Sequence, residues 1–258
     1  MSSLLNVSIE GHIAQVTINN PPANTWTLDS LKELKNIITE LNSNKAVYAL
    51  VLTGQGEKFF SAGADLNVFA SGDKGVAFDM ASVFGEAFET LRDFNGVTIA
   101  AINGYAMGGG LEVALACDIR ICEDQAQMAL PEAKVGLLPC AGGTQNLSWL
   151  VGEGWAKRMI LCGERVDSKT ALKIGLVEEV VAKGGSLEAA MKLAQQTSQQ
   201  SPTSITACKQ LIQAGRESSI NSALPLEREL FVNLFNSKDQ KEGVNAFLEK
   251  RTPVWLNE

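Results

Sequence analysis

The sequence predicts an α/β fold whose C-terminal part forms a separate helical layer. Through residues 1–185, apolar runs of strand length alternate with segments of helical period. Two of those runs, residues 47–53 and 97–102, lead into glycine-rich loops, and ligands of α/β sheets gather at such strand carboxyl ends. After Lys183-Gly184-Gly185 the pattern turns helical to the end of the chain, so residues 186–258 form the expected second region.

Leu5, Val7 and Ile9 alternate with polar residues, Gly11 turns the chain and residues 13–18 return, which predicts a β-hairpin. Pro21-Pro22 keeps residues 19–24 as a loop. The helix that follows runs to about residue 41, capped by Thr27 or Asp29. Leu31, Leu34, Ile38 and Leu41 fall on one face, and Ser30 with Glu33 fits a capping box. The unbroken apolar run 47–53 predicts a strand buried on both faces. A glycine-studded loop over 54–66 ends in Ala62-Gly63-Ala64-Asp65, and a helix is expected over about 77–93. A strand over 97–102 leads into Gly108-Gly109-Gly110 and a short helix over 111–116. Strands over 119–122 and 126–130 precede the turn at Pro131-Glu132. Helices follow over 142–150, 153–162 and 168–174, then a strand over 177–181. Four closing helices are predicted over 187–199, 202–214, 223–235 and 239–250. In the third of these, Leu226, Leu230, Leu234, Phe231 and Phe235 make a wide apolar face. Internal packing is the expectation for it, with a subunit contact or a lid as the alternative.

At 258 residues and 45% apolar content the chain has ample material for one large domain. No apolar run approaches the ~20 residues that cross a bilayer. Strand-like sequence from Leu4 onward argues against a leader, so a cytoplasmic location is expected. The net charge of −7, with no Lys/Arg stripe, argues against nucleic acid as a partner. Five cysteines (Cys117, Cys122, Cys140, Cys162, Cys208) form no CxxC pair, which points to a reducing compartment and no zinc site. Cys140 is expected to be a small buried residue, since no evident base would activate it as a nucleophile. The one histidine, His12, sits at the hairpin, so carboxylates lead as proton carriers. Dinucleotide, P-loop, HExxH and EF-hand patterns are absent.

Three successive glycines at the start of a helix suit a backbone that must turn tightly or be approached closely. The free N–H groups of that helix start favour an oxygen carrying negative charge. An oxyanion hole wants two such amides; Ala64 and Gly109, with minimal side chains, are the candidates. The alternative is that these small residues serve tight turns only. Glu112 and Glu132 each follow an apolar segment at a turn, and a pair converging on one cleft could manage water and protons together. Each also has a plainer reading, as an acid favoured in the first turn of a helix.

Phe60-Ser61-Ala62-Gly63-Ala64-Asp65-Leu66, taken with the run from Asn103-Gly104-Tyr105 to Gly110-Leu111-Glu112, resembles the crotonase, or enoyl-CoA hydratase/isomerase, family. Pro131-Glu132, Gly142-Gly143-Thr144-Gln145 and the tail from Phe247 to Pro253 agree in order and spacing, so the resemblance spans about residues 4–255. It implies a spiral of ββα units followed by a helical trimerisation region, assembled as a homotrimer or homohexamer. It also implies an acyl-CoA thioester substrate whose carbonyl oxygen rests on the N–H groups of Ala64 and Gly109. Hydratases of the family use two glutamates, matching Glu112 and Glu132, whereas isomerases keep one or place acids elsewhere. The implied activity is addition of water to a trans-2-enoyl-CoA, giving 3-hydroxyacyl-CoA, in fatty-acid or related acyl-CoA degradation. Glu112 would act on the water as base and Glu132 would deliver the proton to C2. Coenzyme A is then a substrate handle, and neither a cofactor nor a metal is expected. Ala62, Asp65, Leu66, Gly108, Pro131, Leu138, Cys140 and Gly142 are expected around the substrate. The alternatives are an isomerase, hydrolase or lyase on the same fold, or a non-catalytic acyl-CoA- or RNA-binding scaffold. Two positions depart from the hydratase pattern. Asn67 stands where many members place a lysine near the CoA moiety. Leu130 stands where glutamine is frequent, which implies a more apolar pocket.

Overall fold

β1 (Leu5–Glu10) and β2 (Ile13–Ile18) form the predicted hairpin, paired antiparallel from Leu5 opposite Ile18 to Glu10 opposite Ile13. The computed structural model describes residues 4–258, so the first three residues, on which the expectation about a leader partly falls, lie outside it. α1 (Leu28–Ser43) buries the predicted stripe of Leu31, Leu34, Ile38 and Leu41. Its cap lies one turn earlier than the Ser30–Glu33 box. Thr27 is the N-cap and exchanges hydrogen bonds with Ser30, because a short hydroxyl three residues on can also reach back to the cap amide.

The chain then contributes alternately to two sheets. β3 (Ala49–Gly54), β5 (Val97–Ile102) and β7 (Ile119–Glu123) run parallel in a six-stranded sheet of order β1-β2-β3-β5-β7-β10, where β10 is Glu179–Val181. After each comes a three-residue strand in a second sheet: β4 (Phe59–Ser61), β6 (Tyr105–Met107) and β8 (Gln127–Ala129). After each of those comes a helix: α2 (Lys74–Arg92), α3 (Gly109–Ala116) and α4 (Gly143–Leu161). This repeated strand–strand–helix turn is the expected spiral. β4, β6 and the two-residue β9 (Val166–Asp167) are not among the strands expected above, because segments this short display little period. α4 carries a break at the non-helical Gly152 (φ 76°), between the two helices expected over 142–150 and 153–162.

α5 (Ser168–Ile174), β10 (Glu179–Val181) and four further helices complete the described residues. These are α6 (Ser186–Thr197), α7 (Pro202–Glu217), α8 (Ile220–Leu234) and α9 (Lys238–Glu249). α6 lies on the large sheet, where its Ala190 and Ala194 pack with Ala49, Val51, Ile99 and Ala101. On the opposite face Leu50 and Leu52 join Trp26, Phe60, Phe84 and Phe88 in the main core. β3 is therefore buried on both faces, as its unbroken apolar run predicts. The expected internal packing of α8 is not found: no residue of it is buried, and Phe231 and Phe235 are 62% and 59% exposed. α8 packs against α7, and its aromatic face is left uncovered among the described residues. No helix among the described residues is long and apolar enough to cross a membrane.

Leu52→Ala should destabilise the protein by about 2–5 kcal/mol, because a fully buried leucine in a doubly covered strand leaves a cavity. Urea unfolding measures this; a loss under ~1 kcal/mol would mean the site collapses freely around the deletion.

Candidate active site

Four amides line the loop Ala62 to Asp65, and three of them are engaged. Ala62 N–H donates to Ala23 O (3.0 Å), Gly63 N–H to Ser61 Oγ (3.2 Å) and Asp65 N–H to Trp26 O (3.0 Å). The Ala64 N–H has no acceptor among the described residues. Its direction follows from the peptide it belongs to. Gly63 O accepts from Trp26 N–H at 2.8 Å, and in a trans peptide N–H and C=O point oppositely, so the Ala64 N–H is aimed away from Trp26.

The second loop supplies a matching amide. Gly108 adopts φ 53° and accepts from both Leu111 N–H and Glu112 N–H, which starts α3. Gly109 N–H, at the first turn of that helix, has no acceptor among the described residues. The two loops touch: a Cβ on Gly63 would lie 3.1 Å from Gly109 N and 2.6 Å from Met107 O. A Cβ on Gly109 would lie 2.9 Å from the Phe84 ring. Glycine at 63 and 109 is thus required by close approach, and at 63 also by a φ of +90°.

Glu112 and Glu132 line the same cavity as these amides but are held differently. Glu112 is 2% exposed, and its Oε1 accepts from Ala141 N–H (2.8 Å) and Gly143 N–H (3.0 Å). Burial pushes its pKa upward, while those two amides pull it back toward the charged form. Glu132 opens the short turn Glu132–Val135, and neither of its carboxyl oxygens, both buried, hydrogen-bonds another group among the described residues. Burial raises its pKa to about 7; its own backbone amide opposes this, and the nearby Glu112 charge adds to it. One carboxylate is clamped in a fixed orientation, and the other is free to hold or release a proton near neutral pH.

The cavity has a volume of about 320 Å³, within the range of small-molecule sites. Of the residues expected around the substrate, Ala62, Leu66, Gly108, Pro131, Leu138 and Cys140 line it together with Ala64, Gly109 and both glutamates. Asp65 and Gly142 do not. Asp65 caps the turn Leu66–Phe69, and Gly142 (φ 89°) opens α4. Cys140 is exposed on the cavity wall, contrary to the expectation of burial, because it follows Pro139 in a loop that rims the pocket. Its thiol is pushed up to about 11 by desolvation and by both glutamates, so it is not a thiolate. The more apolar pocket expected from Leu130 is not produced by that residue, which is fully buried in the main core away from the lining. Asn67 is exposed, and its Nδ2 donates to Asp65 Oδ1 at 2.8 Å. His12 lies elsewhere, stacked on Tyr48 at 4.2 Å. Phe69, Phe84, Val135 and Leu137 also line the cavity. Phe84 was legible only as one of the apolar positions of α2, since periodicity marks an inward face without naming what it meets.

Comparison with known proteins agrees with this geometry. Residues 8–258 match the family described as enoyl-CoA hydratase/isomerase. The short-chain-enoyl-CoA hydratase of Clostridium acetobutylicum is 39% identical over 243 residues, covering 94% of this chain and 93% of that protein. The 2,3-dehydroadipyl-CoA hydratase of Escherichia coli is 37% identical over 254 residues, covering 98% of each. Among solved structures, Pseudomonas aeruginosa DspI superposes with a TM-score of 0.96 at 66% identity, over 99% of this chain and 97% of that one. An enoyl-CoA hydratase from Bacillus anthracis superposes with a TM-score of 0.95 at 35% identity, over 99% and 100%. With its two facing glycine loops and its full-length match, the chain belongs to the enoyl-CoA hydratase/isomerase family.

Proposed function

We propose that the protein is an enoyl-CoA hydratase, a hydro-lyase that adds water across the 2,3 double bond of a trans-2-enoyl-CoA to give 3-hydroxyacyl-CoA. The observation that carries this reading is the pair of glutamates facing one cavity beside two unengaged amides, one acid fixed by backbone donors and the other without a partner. Relatives named as hydratases support it.

The thioester oxygen would accept from Ala64 N–H and Gly109 N–H. As the water oxygen bonds to C3, the π electrons of the double bond move toward C1 and negative charge collects on that oxygen. Amides already aimed there stabilise the enolate without reorganising, and one such donor is worth ~3–4 kcal/mol. Glu112, oriented by Ala141 and Gly143, takes the proton of the water. Glu132, whose pKa of about 7 leaves it protonated in much of the population at neutral pH, donates to C2. Leu66, Phe69, Phe84, Leu137 and Leu138 favour an apolar acyl group. These steps call on amides and carboxylates alone, so no cofactor or metal enters them.

The wider setting is inferred too. The exposed Phe231, Val232 and Phe235 of α8 and Phe247 and Leu248 of α9 suit a homotrimer or homohexamer, with residues 186–258 as the assembly region and 1–185 as the catalytic core. Five unpaired cysteines fit the cytoplasm, and the chemistry fits degradation of fatty-acyl or related acyl-CoA.

Glu112→Gln and Glu132→Gln should each lower hydration of crotonyl-CoA by ~10²–10⁴-fold. Product identification accompanies the assay: double-bond migration without 3-hydroxyacyl-CoA would instead assign an isomerase. Because Glu132 must carry its proton, kcat/KM should fall about tenfold per pH unit above an apparent pKa near 7. That limb should be missing from the residual activity of Glu132→Gln, and an unchanged limb would remove Glu132 as the acid. Gly63→Ala, whose methyl would press on Met107 O and Gly109 N, should lower kcat ~10²–10³-fold. Turnover near that of the unaltered protein would show that the two loops need not meet.

A further inference from the structure

We propose that Ser61 is a positioning residue for the Ala64 oxyanion donor, acting through the Gly63 amide; the inference rests on the reading of Ala64 and Gly109 as the hole. Gly63 separates two peptide planes. The plane that ends in Ala64 N–H is fixed by its carbonyl on Trp26 N–H (2.8 Å). The plane before it is fixed by Gly63 N–H on Ser61 Oγ (3.2 Å). Gly63 has no side chain and sits at φ +90°, so its own torsional preference does little to set the angle between those planes. The two hydrogen bonds set it instead, and only Ser61 contributes a side chain to them.

The hydroxyl is itself constrained. It spends its one proton on Asn24 O at 2.7 Å, which leaves its lone pairs to face the Gly63 amide. Asn24 is held in a left-handed conformation (φ 52°), and its Nδ2 donates to Gln55 O (3.0 Å) and Phe59 O (2.9 Å). The acceptor of the Ser61 proton is thereby tethered to the loop after β3 and to β4. Ser61 is fully buried, so its removal would strand the Gly63 N–H and the Asn24 carbonyl with no solvent in reach. Ser61 also supports the other half of the site. A Cβ on Gly110 would lie 2.1 Å from Ser61 O and 2.9 Å from Ser61 Cβ, so the first turn of α3, which carries Gly109, rests directly on this residue. One serine therefore orients one donor and backs the other, without itself lining the substrate cavity.

The test combines kinetics with the ultraviolet spectrum of bound cinnamoyl-CoA, a conjugated enoyl thioester whose absorption moves to longer wavelength when its carbonyl is polarised. The full chain is compared with Ser61→Ala and with Ser61→Cys, which keeps a weaker donor and acceptor. The unaltered protein should shift the band. Ser61→Ala should lose at least half of that shift and about 10-fold or more of kcat while KM moves less than roughly threefold, with Ser61→Cys in between. A lost contact that served stability alone would lower the melting temperature and leave the shift of the folded fraction intact, which would overturn the proposal. If Ser61→Ala does not fold, Ser61→Cys decides: a full shift with full kcat overturns the positioning role, and a reduced shift supports it. Absence of any shift in the unaltered protein would overturn the oxyanion reading itself, and this role with it.

Discussion

The structure depends on one close approach: two glycine-containing loops from successive turns of the spiral are brought so near that a single methyl group on Gly63 would strike both Met107 O and Gly109 N. Most of the surrounding architecture serves that contact. β4 and β6, each three residues long, pair in parallel just before the two loops and deliver them side by side. Gly104 and Gly54 admit the backbone of the same segment, with positions for a Cβ only 2.3 Å from Lys58 O and 2.4 Å from Phe60 O respectively. Phe84 and Trp26 pack beneath Gly109 and close the floor of the site. Such close approach leaves little room for the loops to relax, as the proposed oxyanion hole would require.

The two glutamates illustrate how environment separates like groups. Both are carboxylates in one cavity, and burial raises both. What differs is the supply of hydrogen bonds. The N–H groups of Ala141 and Gly143, at the opening of α4, converge on Glu112 and favour its charge; Glu132 receives nothing comparable from its neighbours. Glu112's charge then raises Glu132 further. The position of one helix start therefore sets the two carboxyls apart, and their titration belongs to the pair. Cys140, on the wall of the same cavity, is held as a neutral thiol by desolvation first and by the two glutamates second.

The peripheral helices obey a different logic. α6 is pinned to the large sheet by small residues, Ala190 and Ala194, that let it lie close. α8 and α9 leave aromatic and aliphatic side chains uncovered, with Phe247 83% exposed. Nothing among the described residues covers that surface, which is the ground on which an assembly of several copies is proposed.

The sequence by itself determined the alternation of strands and helices, the doubly buried β3, the two glycine loops and the identity of the two glutamates. These features are local: an unbroken apolar run, a helical stripe such as Leu31-Leu34-Ile38, or three adjacent glycines carry their meaning within a few residues. Tertiary structure alone decided that Ala64 is the amide left unengaged in its loop, because that depends on acceptors at Ala23, Trp26 and Ser61. It alone decided which glutamate is clamped, that Leu130 turns into the core while Cys140 faces the cavity, and that the apolar face of α8 stays open. The physical reason is common to all of these: a hydrogen bond or a burial joins residues distant in the chain, and a residue's type states what it can accept without stating what will arrive beside it.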